Sequence, residues 1–308
     1  MTMKLTVLVS GATGNQGGAV TQALLASGHK VRALTRNTES SRARRLAEQG
    51  VELMRGNLDD AESLEQALQG ADSFYLMGSP QEVGAEGETK QGIALANAAK
   101  AANVGHLVYG SVANADLNTG ISHFDSKHLV EEYIKTLGIP YTVSAPVFFM
   151  DNVIAPWSLE ALKRGKIMQA IPGDRSLQQV SVKNIGEFVA SLISRREKVF
   201  GKRFDIAGDE LTGDECSATL TRVTGHQVIY EALPVSVVKQ QSDDMAVMFE
   251  WFDRVGYNVD IPELHGSFSD VNWQSYSQWV ESQDWQFLQQ ERQKKGSDSL
   301  GRVESSAR

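Results

Sequence analysis

The chain has a single cysteine, Cys216, in 308 residues. An internal disulfide is therefore impossible, and no Cys/His cluster stands at zinc spacing, so the expectation is a reducing compartment and no metal site. Positive charge is also short: 30 Lys and Arg face 38 Asp and Glu, for a formal net charge of -8. Such a balance leaves no surplus cation to neutralise a phosphate backbone, which disfavours general nucleic-acid binding and attachment to an anionic membrane. Long apolar runs are missing as well. Nothing approaches the roughly 18 uninterrupted apolar residues of a membrane helix, and the opening run Leu5 to Val9 is too short for a secretion signal. Thr2 stands where myristoylation needs glycine, and the sequence ends Ser306-Ala307-Arg308 without a prenylation cysteine. A soluble, cytoplasmic protein is expected.

What is present is periodic. The amino-terminal half alternates short β-rich runs with helical patterns, the mark of repeated βαβ units in a doubly wound parallel sheet with helices on both faces. Compact apolar runs place strands at Leu5 to Val9, Val31 to Thr35, Val51 to Met54, Ser73 to Met77, His106 to Tyr109 and Tyr141 to Ser144. A stripe through Ile93, Leu95, Ala96, Ala99 and Ala102 predicts a helix from about Glu88 to Asn103. Ser122 and Asp125 have the spacing of a capping box that opens the next helix, which reaches Leu137.

Beyond Pro146 the pattern loosens. Helices are expected near Asn152 to Lys163, with Asn152 as the N-cap, Val182 to Arg195, and Gly213 to Thr224, the last opened by a capping box from Thr212 to Glu215. Short strands near Arg203 to Ile206 and Val228 to Glu231, then stretches rich in Trp, Phe and Met, predict a smaller α+β lobe docked through Met248, Trp251 and Phe252 and covering a substrate cleft. Residues 1–150 are the expected nucleotide-binding domain, with its sheet completed by later segments; 151–288 form the lobe. Residues 289–308, nearly devoid of apolar side chains, read as a disordered tail.

The main chemical signal is Gly11-Ala12-Thr13-Gly14-Asn15-Gln16-Gly17-Gly18, directly after the first strand and running into a helical stretch. Gly11 permits the tight turn, Gly14 lets the backbone approach a pyrophosphate, and Gly17 allows close packing of helix on strand. The helix N-terminus then offers free N–H groups and a favourable dipole to the anion. NAD-binding sites place a carboxylate at the end of the second strand, to bind the ribose hydroxyls. Here that strand ends Thr35-Arg36-Asn37, and Arg36 offers a planar fork suited to a 2′-phosphate. NADP(H) is the expected cofactor. Arg42, Arg44 and Arg45 read as a solvated helix face. Later strand ends should complete the adenosine pocket: Asn57 either meets the adenine edge or makes a turn or helix cap, and Met77-Gly78 either lets backbone approach the ligand or forms a plain turn.

These residues, with Lys90-Gln91-Gly92, His123-Phe124-Asp125-Ser126-Lys127, Val130-Glu131-Glu132-Tyr133 and Pro146 to Asn152, make the sequence resemble the NmrA-like group of atypical short-chain dehydrogenases, and within it the HSCARG-like NADPH-sensor branch. The resemblance spans roughly Lys4 to Trp285 and implies an NAD(P)-binding Rossmann fold. It implies less about chemistry, because the group mixes reductases with cofactor-binding regulators. In the wider superfamily a Tyr four residues before a Lys donates the proton while the Lys lowers its pKa and binds the nicotinamide ribose. By that resemblance Lys127 is the ribose contact and catalytic lysine. The tyrosine position is His123, a departure that leaves His123 as a candidate acid. Tyr109 and Ser111 are alternative donors or sheet-end packing, and Phe148, Phe149 and Met150 are an apolar substrate wall or core. The expectation from sequence is a redox-responsive regulator of NADPH/NADP+ occupancy, acting on a protein partner and conceivable as a homodimer. The alternative is an NADPH-dependent reductase of a quinone or other small apolar carbonyl compound.

Overall fold

The computed structural model describes residues 4–58, 60–78 and 80–288. In chain order the strands are β1 (Thr6–Val9), β2 (Lys30–Thr35), β3 (Glu52–Arg55), β4 (Ser73–Met77), β5 (Leu107–Gly110), β6 (Tyr141–Pro146), β7 (Phe148–Phe149), β8 (Lys166–Gln169), β9 (Ser176–Val180), β10 (Lys202–Ile206), β11 (Asp209–Thr212) and β12 (Ile229–Ala232). The helices are α1 (Asn15–Ala26), α2 (Ser41–Glu48), α3 (Ala61–Leu68), α4 (Pro80–Ala101), α5 (Ser122–Thr136), α6 (Pro156–Lys163), α7 (Val182–Ser194), α8 (Gly213–Thr224), α9 (Val235–Lys239), α10 (Asp243–Arg254), α11 (Ile261–Ser267) and α12 (Tyr276–Ser282). No described helix is long and apolar enough to cross a membrane.

The chain divides into two compact units. The first joins residues 1–147 to 182–207 and 257–273. Its sheet runs β3-β2-β1-β4-β5-β6-β10 with every pairing parallel. Strand order therefore reverses between β1 and β4, the switch point outside whose carboxyl ends open α/β sheets bind ligands. The strands read as near-continuous apolar runs because helices cover both faces. On one face Leu8, Phe74, Leu76 and Val143 pack with Leu95 and Ala99 of α4 and Val130 and Ile134 of α5, all buried. On the other, α1 and α7 approach so closely that a Cβ on Gly186 would lie 2.4 Å from the Ala19 carbonyl oxygen.

The second unit comprises 148–181, 208–256 and residues from 274 onward. It holds the three-stranded sheet β11-β9-β7 and the pair β12-β8, around a core that includes Met150, Leu162, Ile167, Leu220, Trp279 and Leu288. A division at 150/151 thus misplaces two segments: 182–207 and 257–273 belong to the first unit, because β10 completes the parallel sheet beside β6 and α7 covers α1. The expected tail lies outside the described residues. Met248, Trp251 and Phe252 are buried side chains of α10, and Phe252 meets the Phe148 ring edge-on at 6.1 Å.

Several helix boundaries differ from expectation. The capping box at Thr212 and Glu215 forms as read. That at Ser122 and Asp125 does not: buried Ile121 is the N-cap and takes the Phe124 and Asp125 N–H groups on its carbonyl, which shifts Ser122 one place into α5. Asn152 is likewise not a helix cap. Residues Met150–Ile154 form a 3-10 turn, and α6 begins at Pro156, whose fixed φ and missing N–H suit the first helical position. Helix α4 starts at Pro80 rather than Glu88, broken at Gly84, whose φ of 70° and ψ of 173° are open to glycine alone without strain.

Replacing Gly186 by alanine should cost about 1–3 kcal/mol, since backbone on the facing helix cannot move aside as a flexible side chain would. Urea unfolding measures this; an unchanged midpoint would show that α1 and α7 are not in close contact.

Candidate functional site

The glycine loop sits at the carboxyl end of β1, beside the switch point. Gly11 adopts a φ of +66°, and its missing side chain is matched by Met77, whose sulfur would stand 3.0 Å from a Cβ there. The Gly14 N–H closes the turn onto the Gly11 carbonyl at 2.9 Å. Gly14 then serves as N-cap of α1 with no side-chain cap, and the first turn of α1 carries no acidic residue. A Cβ on Gly17 would lie 2.3 Å from the Gly11 carbonyl oxygen, so only glycine lets α1 rest on the loop. This uncapped, acid-free helix start beside glycine backbone suits a diphosphate. Asn15 is exposed and Thr13 half-buried; Gln16 donates to the Tyr75 hydroxyl at 2.8 Å and ties the loop to β4.

Arg36 follows β2 and donates to Glu82 at 3.0 Å. Arg42 is exposed, as expected of a solvated face, and from there its guanidinium also comes within 3.5 Å of the Thr13 carbonyl. No motif signalled this, because it arises from the placement of α2 and not from spacing within it. Arg44 pairs with Glu39. Asn57 belongs to the turn before α3: its N–H donates to Ser63 Oγ and its carbonyl accepts from the Asp60 N–H, with Asp60 as the actual helix cap. Gly78 has an internal use, since a Cβ there would fall 2.8 Å from Glu88.

Lys127, on α5, is held by Glu88, a buried residue of α4, while Ser126 Oγ donates to the other oxygen of the same carboxylate at 2.6 Å. Sequence reading found Lys127 and missed Glu88, whose position in an amphipathic helix resembles any helix-start acid. Only the fold brings it under Gly78. His123, four residues earlier on α5, is half-buried with its ring edge against Phe124 at 4.9 Å.

Of the alternative proton donors, Tyr109 is buried with its hydroxyl unpartnered among the described residues and Ser111 is committed elsewhere. Tyr109 is 1% exposed, and burial, reinforced by the Glu88, Glu131 and Tyr75 charges, pushes its hydroxyl well above the usual phenol range. Ser111 donates to Glu131, which is fully buried on α5. Arg203 supplies the counter-charge, donating to Glu131 at 3.0 Å, to the Val112 carbonyl at 2.9 Å and to Asp205. Burial raises the Asp205 carboxyl to about 6, against the opposing pull of Arg203. This ion-pair group ties the end of β5 and the strand β10 to the body of α5. Among the described residues no group of His, Cys, Asp and Glu could hold a metal ion.

Within the second unit, Phe148 and Met150 border a cavity with Arg175, Gln179, Tyr230 and Tyr276. Its volume of about 20 Å³ holds about one water molecule. A cavity of that size is no chamber for an organic substrate; Met150 is buried core, whereas Phe148 and Phe149 are half-buried.

Lys127→Ala should destabilise the protein by about 2–4 kcal/mol, because it strands the Glu88 carboxylate in a buried site with one hydroxyl for company. Adding Glu88→Gln should restore much of that loss in urea unfolding. A double variant no more stable than Lys127→Ala would contradict the pairing.

Comparison with known proteins agrees with this fold. A quinone oxidoreductase, number 2 of its kind in Escherichia coli, is 30% identical over 230 residues, covering 74% of this chain and 77% of its own. Its structure, solved with NADPH, superposes with a TM-score of 0.75 at 25% identity over 89% of this chain and 98% of that one. The negative transcriptional regulator NmrA, solved with NADP, gives a TM-score of 0.74 at 21% identity over 91% and 95%. The sheet, the loop at the switch point and the helices around it are those of the NAD(P)-binding Rossmann-like fold. The model of the NmrA-like family matches residues 3–282, and the chain belongs to that family.

Proposed function

We propose that the protein is an NADPH-dependent reductase that delivers a hydride to an electron-poor acceptor of the quinone class. The observation that carries this is the 30% identity to a quinone oxidoreductase across 74% of this chain, in which the Glu88-fixed ammonium of Lys127 stands at the carboxyl side of β4 beside Gly78. A bound NADPH supplies the hydride. The chain's residues bind and orient. The loop from Gly11 to Gly17 and the first turn of α1 hold the diphosphate, with Thr13, Asn15 and Gln16 shaping its walls, and Arg36 takes the 2′-phosphate. Asn57, Met77 and Gly78 border the adenosine, and Lys127 holds the nicotinamide ribose.

A quinone is favoured for a chemical reason. The superfamily's tyrosine is needed to protonate an alkoxide as it forms, whereas the oxyanion left on a reduced quinone is delocalised over the ring and takes its proton from water or from His123. A site with His123 in place of tyrosine, Ser111 bound to Glu131 and Tyr109 buried is suited to such an acceptor and poorly suited to a simple ketone. The identity shared with the quinone oxidoreductase supports the same substrate class.

The same dispersal of acid–base groups favours a second reading, the NADPH-sensor branch. There, Lys127 serves only to hold the ribose and the protein reports NADPH/NADP+ occupancy to a protein partner or a second copy in the cytoplasm. Mixing purified protein with NADPH and a panel of benzoquinones and naphthoquinones separates the two. Quinone-dependent loss of reduced-nicotinamide absorbance is the expected result. Tight cofactor binding with no turnover across the panel, together with an oligomeric state that changes with NADPH, would overturn the reductase reading in favour of the sensor.

A further inference from the structure

We infer that Glu82 tempers the dinucleotide preference of this site: its carboxylate holds one arm of the Arg36 fork and must surrender it to the extra phosphate that distinguishes NADPH from NADH. The inference rests on the reading of Arg36 as the 2′-phosphate ligand. Arg36 donates through Nη2 to Glu82 Oε2 at 3.0 Å, and both side chains are open to solvent, 71% and 57% exposed. An anion arriving from solution therefore reaches the guanidinium without moving the core.

The chain around Glu82 is built to yield. Residues 80–83 are set off from the rest of α4 by the break at Gly84. Past that break α4 is anchored to α5, since Glu88 meets Ser126 and Lys127 and a Cβ on Gly92 would fall 2.7 Å from Val130. The turn bearing Glu82 can release Arg36 while Glu88 keeps hold of Lys127. One helix thus supplies a carboxylate to both cations of the site, a replaceable one at the adenosine end and a fixed one at the ribose lysine.

The exchange is selective by charge. An exposed Arg–Glu pair adds little to stability. A dianionic phosphate forms charge-assisted, bidentate bonds with the same fork, so NADPH displaces Glu82 and then feels its repulsion, whereas NADH brings nothing to that position. Glu82 weakens NADPH and leaves NADH untouched, which brings the two affinities closer than Arg36 alone would set them.

Titration calorimetry with NADPH and NADH on the full chain tests this. Glu82→Gln should tighten NADPH by about three- to fivefold at low salt and leave NADH unchanged, with the gain shrinking as ionic strength rises. In an Arg36→Ala background the same change should have no effect on NADPH. If Arg36→Ala weakens NADPH but Glu82→Gln leaves the NADPH-to-NADH ratio unaltered, the role of Glu82 is overturned and that of Arg36 stands. Equal tightening of both dinucleotides also overturns it, as a general electrostatic effect. If Arg36→Ala leaves NADPH affinity intact, the phosphate assignment falls and the inference with it.

Discussion

The dinucleotide site depends on one close approach, that of Gly17 to the carbonyl of Gly11. At 2.3 Å from that oxygen a Cβ has no room, and with no Cβ there α1 settles directly onto the turn that ends β1. Its first N–H groups then lie at the switch point between β1 and β4, with no side chain to cap them. A helix start placed so is a fixed partial positive charge. Met77 against Gly11 and Gln16 on Tyr75 tie the loop to β4, so the charge is held in place by packing.

Around this fixed point the cations are arranged with counter-charges from α4. Lys127 is pinned by a buried carboxylate, an arrangement that costs desolvation and is stable only while both partners are present. Arg36 is held by an exposed one, at little cost or gain. Farther along the sheet, Glu131, Arg203, Asp205 and Ser111 form a second buried polar group that fixes the ends of β5 and β10. That group takes the Ser111 hydroxyl out of service as a donor, and burial does the same for Tyr109. The outcome is a site with few free acids, which is the ground on which an acceptor that needs little protonation is proposed for it.

Much of this could be read from the residues alone. The apolar runs of β1 to β6 and the glycine spacing after β1 are local signals, and each marks the element observed. Signals of the same local kind failed where tertiary packing decided the boundary. Burial of Ile121 overrode the Ser122 capping pattern, and Pro156 fixed the start of α6 against the claim of Asn152. Later segments were expected to complete the sheet, but nothing local records that β10 is such a segment, since its partner β6 lies some sixty residues earlier. The pairings of Glu82 and Glu88 were invisible for the same reason: each meets a residue far away in sequence, and nothing local separates the exposed acid of the two from the buried one.

The claim on which the rest depends is that backbone amides at the head of α1 grip a diphosphate while a guanidinium past β2 takes an additional phosphate. The most direct measurement is a calorimetric titration of the folded wild-type chain with NADP+ and then NAD+. Saturable one-to-one binding, tighter for NADP+ and weakening with added salt, is the expected result. A chain that gives no heat with either oxidised dinucleotide would contradict it.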